Sequence, residues 1–279
     1  MSRTYKAIEP TDMLPFSSDA FFALFAQYNR AIWPAPIVAY GLGLAALLLI
    51  VRPVPNGGRL VAAILGLAWA WNGVAYHLMH FAQINFAAPI FGAFFVVQGL
   101  LFAWTGAVRG KIAFRFRPDP VGWAGLGLAV FALAVYPLVG WLAGHGWPRA
   151  AMFGVAPGPT TIFTLGLLLL IEGRTPWHLV AIPVLWSLAG GTAVWLLAIP
   201  EDLALPLAGL GGLGLVFWKN RRAGADLAQS GRPGAGRAPV GAQHEYARRD
   251  SPPRTGVRGG GRKNASSEDR NSANSRVRT

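Results

Sequence analysis

Among the side chains able to bind a ligand or move a proton, the closest pairing is His77 and His80, in the string YHLMHF (76–81). Three residues along an α-helix is about 60° of net rotation, so both rings are predicted to share a face. Gly66 and Gly73 lie at seven-residue steps from His80, which extends the stripe to Gly66, Gly73, His77 and His80. Small residues let helices approach closely, so this stripe is expected to face the protein interior. Neutral imidazole is a common metal ligand, and Glu201 or Asp202 from IPEDL (199–203) would complete a metal set. Haem gripped on both faces would also require His145, from HGWPR (145–149). The plainer role for these histidines is hydrogen bonding between helices.

A second chemistry is legible in PGPTTIF (157–163). Pro157 and Pro159 break the chain, and Thr160 or Thr161 is placed to cap the helix that follows. The start of a helix offers unpaired N–H groups and partial positive charge, and broken helices in transporters bind anionic groups there. Arg149 and His145 precede it, so Arg149, Thr160, Thr161 and His145 form a candidate anion site. The structural alternative is a capped helix with Arg149 paired to Glu201 or Asp202. Those two acids also read simply as a wet turn that caps the next helix.

The elements that must position these residues are apolar helices. Of 279 residues, 53% are hydrophobic and 13% charged, about half the usual charged share of a soluble domain (~25%). Residues 1–218 hold 11 Lys/Arg and 7 Asp/Glu, whereas 219–279 hold 14 and 5, so an apolar body precedes a polar basic tail. There is no cysteine, which excludes disulfides and thiol-based metal or haem attachment. A membrane-crossing helix needs roughly 20 apolar residues. Six stretches qualify, 32–51, 60–81, 85–108, 121–142, 179–199 and the shorter 203–218, and none contains Asp, Glu, Lys or Arg. A seventh, 152–171, has an uninterrupted helical part (160–171) of only ~18 Å. It reads as a broken crossing or a re-entrant hairpin.

Charge decides between them. With seven crossings, Lys and Arg near span ends divide 12 against 2, only Arg30 and Arg149 lying on the minor side; with six the division is 8 against 6. The bias predicts seven crossings, the N-terminus outside and the C-terminus in the cytoplasm. Ser17, Ser18 and Asp19 are helix-starting residues, and Phe21, Phe25, Tyr28 and Ile32 recur at helical spacing. They predict an amphipathic helix on the outer surface, packed on lipid or on protein. No cleavable signal peptide is expected, since Glu9, Asp12 and Asp19 interrupt the first 31 residues. The tail, rich in Gly, Pro, Ser and Arg, cannot bury a core and is expected to be disordered, held near anionic lipid. The Arg258-Gly-Gly-Gly-Arg262 run is similar to RGG-type nucleic-acid segments, but one copy is a weak signal, and nucleic acid is not expected as a partner. No carboxylate or Lys/Arg lies within a predicted span, unlike most ion-driven pumps. Walker, zinc-protease, dinucleotide and serine-hydrolase motifs are missing too.

The strings YNRAIWPA (28–35), YHLMHF, HGWPR, PGPTTIF and IPEDL all fall near the predicted outer face. In this order and spacing they resemble an uncharacterised family of bacterial multi-pass membrane proteins, a domain of unknown function, over roughly residues 14–218. The resemblance implies membrane location and fold class, and it carries no catalytic residues. The expectation is an all-α, polytopic protein of the bacterial inner membrane. It has an N-terminal segment (1–31), about seven transmembrane helices (32–218) and a disordered cytoplasmic tail (219–279). Three functions stay open: binding or transport of a small polar or anionic ligand at the outer mouth, metal or haem binding through His77 and His80, or a ligand-free structural subunit. An enzyme is the weaker expectation, and the lipid bilayer is the partner that all three share.

Overall fold

In a computed structural model, residues 16–197 and 200–230 are described, and the described part is all-α apart from one isolated bridge between Phe114 and Ile171. It lies within one compact unit, Met1–Gly231. Residues 231–279, most of the predicted tail, lie outside the described residues.

The first helix, α1 (Ser18–Ala31), starts where Ser17 accepts a hydrogen bond from the Ala20 amide at 3.2 Å. It meets α2 (Ala35–Val51) at 84°. Leu24, Phe25, Tyr28 and Asn29 are buried, so the amphipathic helix packs its inner face on protein. Helix α3 (Gly57–Trp71) continues through a π turn (Asn72–Leu78), and α4 (Ala88–Phe102) through another (Ala103–Val108). Helix α5 (Pro120–Val130) opens on an Asp119 cap, which accepts from Gly122 N at 2.8 Å. A third π turn (Phe131–Val135) joins it to α6 (Tyr136–Leu142). Helices α7 (Pro157–Leu169), α8 (Trp177–Leu197) and α9 (Ala204–Ser230) complete the body.

Glycine pairs set the closest crossings. A Cβ on Gly99 would lie 2.7 Å from the Gly66 carbonyl oxygen, one on Gly73 2.8 Å from that of Gly92, and one on Gly125 2.7 Å from that of Gly166. The backbones of α3 and α4, and of α5 and α7, touch at these points. Helix α7 is the hub. It spans only about 20 Å, yet every residue except Gly158 is buried, because α3, α5, α8 and α9 surround it. A helix apolar on all sides is stable only when enclosed in this way.

The connections gather at two ends. At one, Tyr28 donates to the Val155 carbonyl (2.8 Å), Asn29 donates to the carbonyls of Pro148 and Ala150, and Trp33 meets Trp147. This is the aromatic end. At the other, Arg59 donates to the Ala107 and Val108 carbonyls, Phe116 N to Ile50 O and Arg115 N to Leu170 O. Of the twelve Lys/Arg in 16–230, ten lie here or on the adjoining part of α9, and only Arg30 and Arg149 lie at the aromatic end. Helix α7 enters at the aromatic end and leaves at the basic end, so residues 152–171 do not fold back as a hairpin.

Between the ends the outer surface is apolar. Ile37, Leu44, Ile90, Leu100, Leu185 and Leu207 are each more than half exposed. Three described helical segments, Gly57–Gln83, Ala88–Val108 and Pro120–Leu142, are long and apolar enough to cross a membrane, and α1 with α2 qualifies as a bent pair.

One predicted boundary shifts. The tail was expected from Lys219, but 219–230 extend α9. Lys219 donates to the carbonyls of Leu169 and Ile171 and to Thr175 Oγ1. Asn220 exchanges hydrogen bonds with the Thr175 backbone, and Arg221 and Arg222 lie over Phe217 and Trp218. These contacts hold the helix beyond its apolar part.

Candidate functional site

At the aromatic end the two predicted histidines part company. His77 is fully buried, and neither ring nitrogen has a hydrogen-bond partner among the described residues. Its ring sits among Phe95 (4.7 Å between centroids), Tyr76 and Trp186 (both 5.1 Å), Phe81 and Phe91. His80 Nδ1 lies 2.7 Å from the Ala75 carbonyl oxygen, which can only accept, so this nitrogen carries the proton. Its other face meets Tyr28. The expected shared face assumed α-helical rotation, but the π turn over Asn72–Leu78 widens the helix and rotates the residues beyond it. The glycine half of the stripe does face α4, whereas His77 and His80 meet different neighbours. Among the described residues no three His, Asp or Glu side chains come together as a metal set. The side chain of Glu201 lies outside the described residues.

The start of α7 already has an anion beside it. Tyr136 donates its hydroxyl proton to the Asp202 carboxylate. A Cβ on Gly158, in the first turn of α7, would lie 3.0 Å from both Asp202 Oδ1 and the Tyr136 hydroxyl oxygen. The chain's own carboxylate thus stands where a ligand anion was expected, and the partial positive charge of the helix start favours it there. Thr160 is spent on structure: its hydroxyl accepts from Gly154 N at 2.9 Å and donates to Ala156 O at 2.6 Å. Thr161 is fully buried, Arg149 is exposed, and His145 stacks on Phe22 at 3.9 Å. No hydrogen bond joins Arg149 to either threonine, and Thr161 Oγ1 has no hydrogen-bond partner among the described residues.

The remaining interior polar groups mostly stitch the bundle. Trp69 Nε1 donates to Thr164 Oγ1 (2.8 Å), Asn72 to the Gly154 carbonyl (2.9 Å) and Gln98 to the Leu179 carbonyl (3.0 Å). Each bond links segments distant in sequence, as expected for polar groups inside an apolar bundle.

The basic end holds what the sequence reading passed over. A cleft of about 250 Å³ opens between the starts of α5, the end of α7 and α9. Its rim carries Arg115, Arg117, Lys219 and Arg222 against one carboxylate, Asp119, whose Oδ1 is engaged in capping α5. Its floor is apolar, formed by Val121, Leu169, Leu170 and Ile171, with Trp218 at the side. Glu172 offsets part of this charge from outside the cleft, 3.4 Å from Arg115 and 3.9 Å from Arg117. Lys219 places three donors on three protein acceptors, so it adds charge to the cleft rather than a free hydrogen bond. Burial, reinforced by Arg117 and opposed by Asp119, brings its ammonium down to about 8. A neighbouring cavity of about 310 Å³ has Arg59 and Arg115 on its wall together with Glu172, so a carboxylate already serves its cations. In the sequence the four rim cations stand out only as markers of topology. They come from two segments about 100 residues apart, and no local spacing signals that they meet.

A family of unknown function (DUF6064) matches residues 18–227, from the first residue of α1 to within α9, and the chain belongs to it. No curated protein and no solved structure matches the chain.

Proposed function

We propose that this member of a family of unknown function is a seven-crossing protein of the bacterial inner membrane, with the N-terminus outside and the C-terminus in the cytoplasm. Its role is to bind a small anionic ligand, and the site is the cleft at the basic end. The apolar outer surface supports the membrane reading. Exposing a large aliphatic side chain to water rather than burying it costs roughly 1.5–3 kcal/mol, and lipid removes that cost. The ten-to-two division of Lys/Arg supports the orientation, and the passage of α7 between the ends supports the seventh crossing. The observation that carries the binding role is the cleft itself, with four cations around one engaged carboxylate. We place the ligand here rather than at the outer mouth favoured on sequence, because Asp202 and Thr160 there are engaged within the protein.

Two experiments test this. Reporter fusions after Val51, Val108, Ile171 and Trp218 should read cytoplasm, and those after Phe81, Leu142 and Ile199 the outside. An inside signal after Ile199 with an outside signal after Trp218 would overturn the seven-crossing topology. Purified protein should gain thermal stability with inorganic phosphate, by about 2.7 kcal/mol at a hundred times the dissociation constant. No gain with any anion would return the protein to the class of ligand-free structural subunits.

A second reading has one observation in its favour, the two unpartnered ring nitrogens of His77. Metal or haem there requires the aromatic cage to open. Stoichiometric transition metal, or a Soret band, lost in His77→Ala, would establish it.

A further inference from the structure

The cleft at the basic end has features that a site for free phosphate does not need. Its cations form a rim, while Val121, Leu169, Leu170 and Ile171 make an apolar floor. Trp218, on its wall, is partly exposed, and Trp123, one turn into α5, is more than half exposed and packs on Phe116 at 4.9 Å. Tryptophans at this level mark the interface between hydrocarbon and headgroups. Arg222 lies 3.7 Å over the Trp218 ring, so a cation and an apolar surface are presented together. The volume, about 250 Å³, is small for a whole organic ligand but adequate for a headgroup.

We propose that the cleft holds the phosphate headgroup of an anionic membrane phospholipid, with the guanidinium groups of Arg117 and Arg222 on the phosphate oxygens and the acyl chains leaving along the apolar outer surface of α5 and α9. This deepens the anion-binding reading and rests on it. Guanidinium pairs suit phosphate because their fork of N–H donors matches two oxygens at once. Basic pockets between membrane helices on the cytoplasmic side recognise anionic headgroups through the same chemistry. Arg115 and Lys219 supply field more than contact, since Arg115 is the nearer partner of Glu172 (3.4 Å against 3.9 Å for Arg117) and the Lys219 donors are taken. With Glu172 and Asp119 set against four cations, the site keeps a surplus of two positive charges, which favours an anionic headgroup over a zwitterionic one.

The test uses the full chain, purified and stripped of lipid in detergent, with unfolding followed by tryptophan fluorescence. The probes are inorganic phosphate, short-chain phosphatidylglycerol and short-chain phosphatidylcholine. Phosphatidylglycerol should stabilise the protein at about tenfold lower concentration than phosphate, since the added apolar contact is worth at least 1.4 kcal/mol. Phosphatidylcholine should give no comparable shift. Arg117→Gln and Arg222→Gln should each weaken the phosphatidylglycerol response about tenfold, the scale of one lost charged hydrogen bond. Arg52→Gln, at the same end but outside the cleft, should leave it unchanged. Arg117→Lys, which keeps the charge and loses the fork, serves where Arg117→Gln does not fold and should still weaken the response. Phosphate as effective as phosphatidylglycerol would overturn the lipid assignment and leave the anion site standing. Equal responses to both lipids, or equal losses in Arg52→Gln and Arg117→Gln, would overturn it as well. Silence with every anion would remove the anion site and the lipid together.

Discussion

The two ends of this bundle use polar residues in opposite ways. The aromatic end holds the residue types richest in chemistry, three histidines, two threonines and an aspartate, and the fold uses most of them internally. His80 donates to a carbonyl within its own helix, Thr160 ties a loop, and Asp202 accepts from Tyr136 at the start of α7. At the basic end three arginines and one lysine that look like orientation signals enclose a cleft with few carboxylates to match. Reactive residue types do not by themselves locate a site. Charge left without a matching counter-charge locates it better.

The largest expected effect separates the ends by stability. Lys219→Ala strips the donor from Leu169 O, Ile171 O and Thr175 Oγ1 and should destabilise the protein by about 3 kcal/mol. Arg149→Ala, exposed at the opposite end, should fall within about 0.5 kcal/mol. Denaturant titration in detergent compares them, and equal losses would erase the contrast. Next is Tyr136→Phe, which leaves the Asp202 carboxylate without its hydroxyl donor and should cost about 1.5 kcal/mol. Loss of ligand response in that variant, with stability intact, would move the binding site back to the aromatic end.

A smaller effect is set by pH. Lys219 is pulled down to about 8, so its charge is present below that value and lost as pH rises through it. Phosphatidylglycerol affinity should therefore be flat below about pH 8 and fall above it, since its phosphodiester keeps one charge throughout. The bound anion favours the charged lysine, so the fall should lie at higher pH in the complex than in the free protein. Arg117 and Asp119 are the charged groups that face the same ammonium. Affinity measured by fluorescence from pH 6.5 to 10 checks this, and an affinity that rises through pH 8 would remove Lys219 from the cleft's working charge.

The smallest effect is His77→Phe. The ring nitrogens have no partner and the neighbours are aromatic, so an apolar ring of similar size should change stability by less than about 1.5 kcal/mol. A larger loss would show that His77 holds a group in the native protein and would put chemistry back at the aromatic end.

Much of this was legible in the chain, because it depends on neighbours in sequence. Uncharged apolar runs became helices with ends near the expected positions, apart from α9, which runs on to Ser230, since run length and helix pitch set most of that match. Ser17 starts α1 as its type and place suggest, and Gly66 and Gly73 meet α4 because a seven-residue step keeps one face of a helix. The division of Lys and Arg between two ends was also a property of the one-dimensional sequence. Contact between distant segments decided the rest. The π turn over Asn72–Leu78 turned His77 toward Phe95 and Trp186 and His80 toward Tyr28, which no local spacing announces. Asp202 met the start of α7 across some forty residues, through Tyr136 from a third segment. The short apolar α7 became the hub because four helices enclose it, and the cleft exists because the starts of α5 and the far part of α9 meet at the α7 end. Helix formation is local and can be read residue by residue. The partner of a polar group is fixed only when the whole chain is packed.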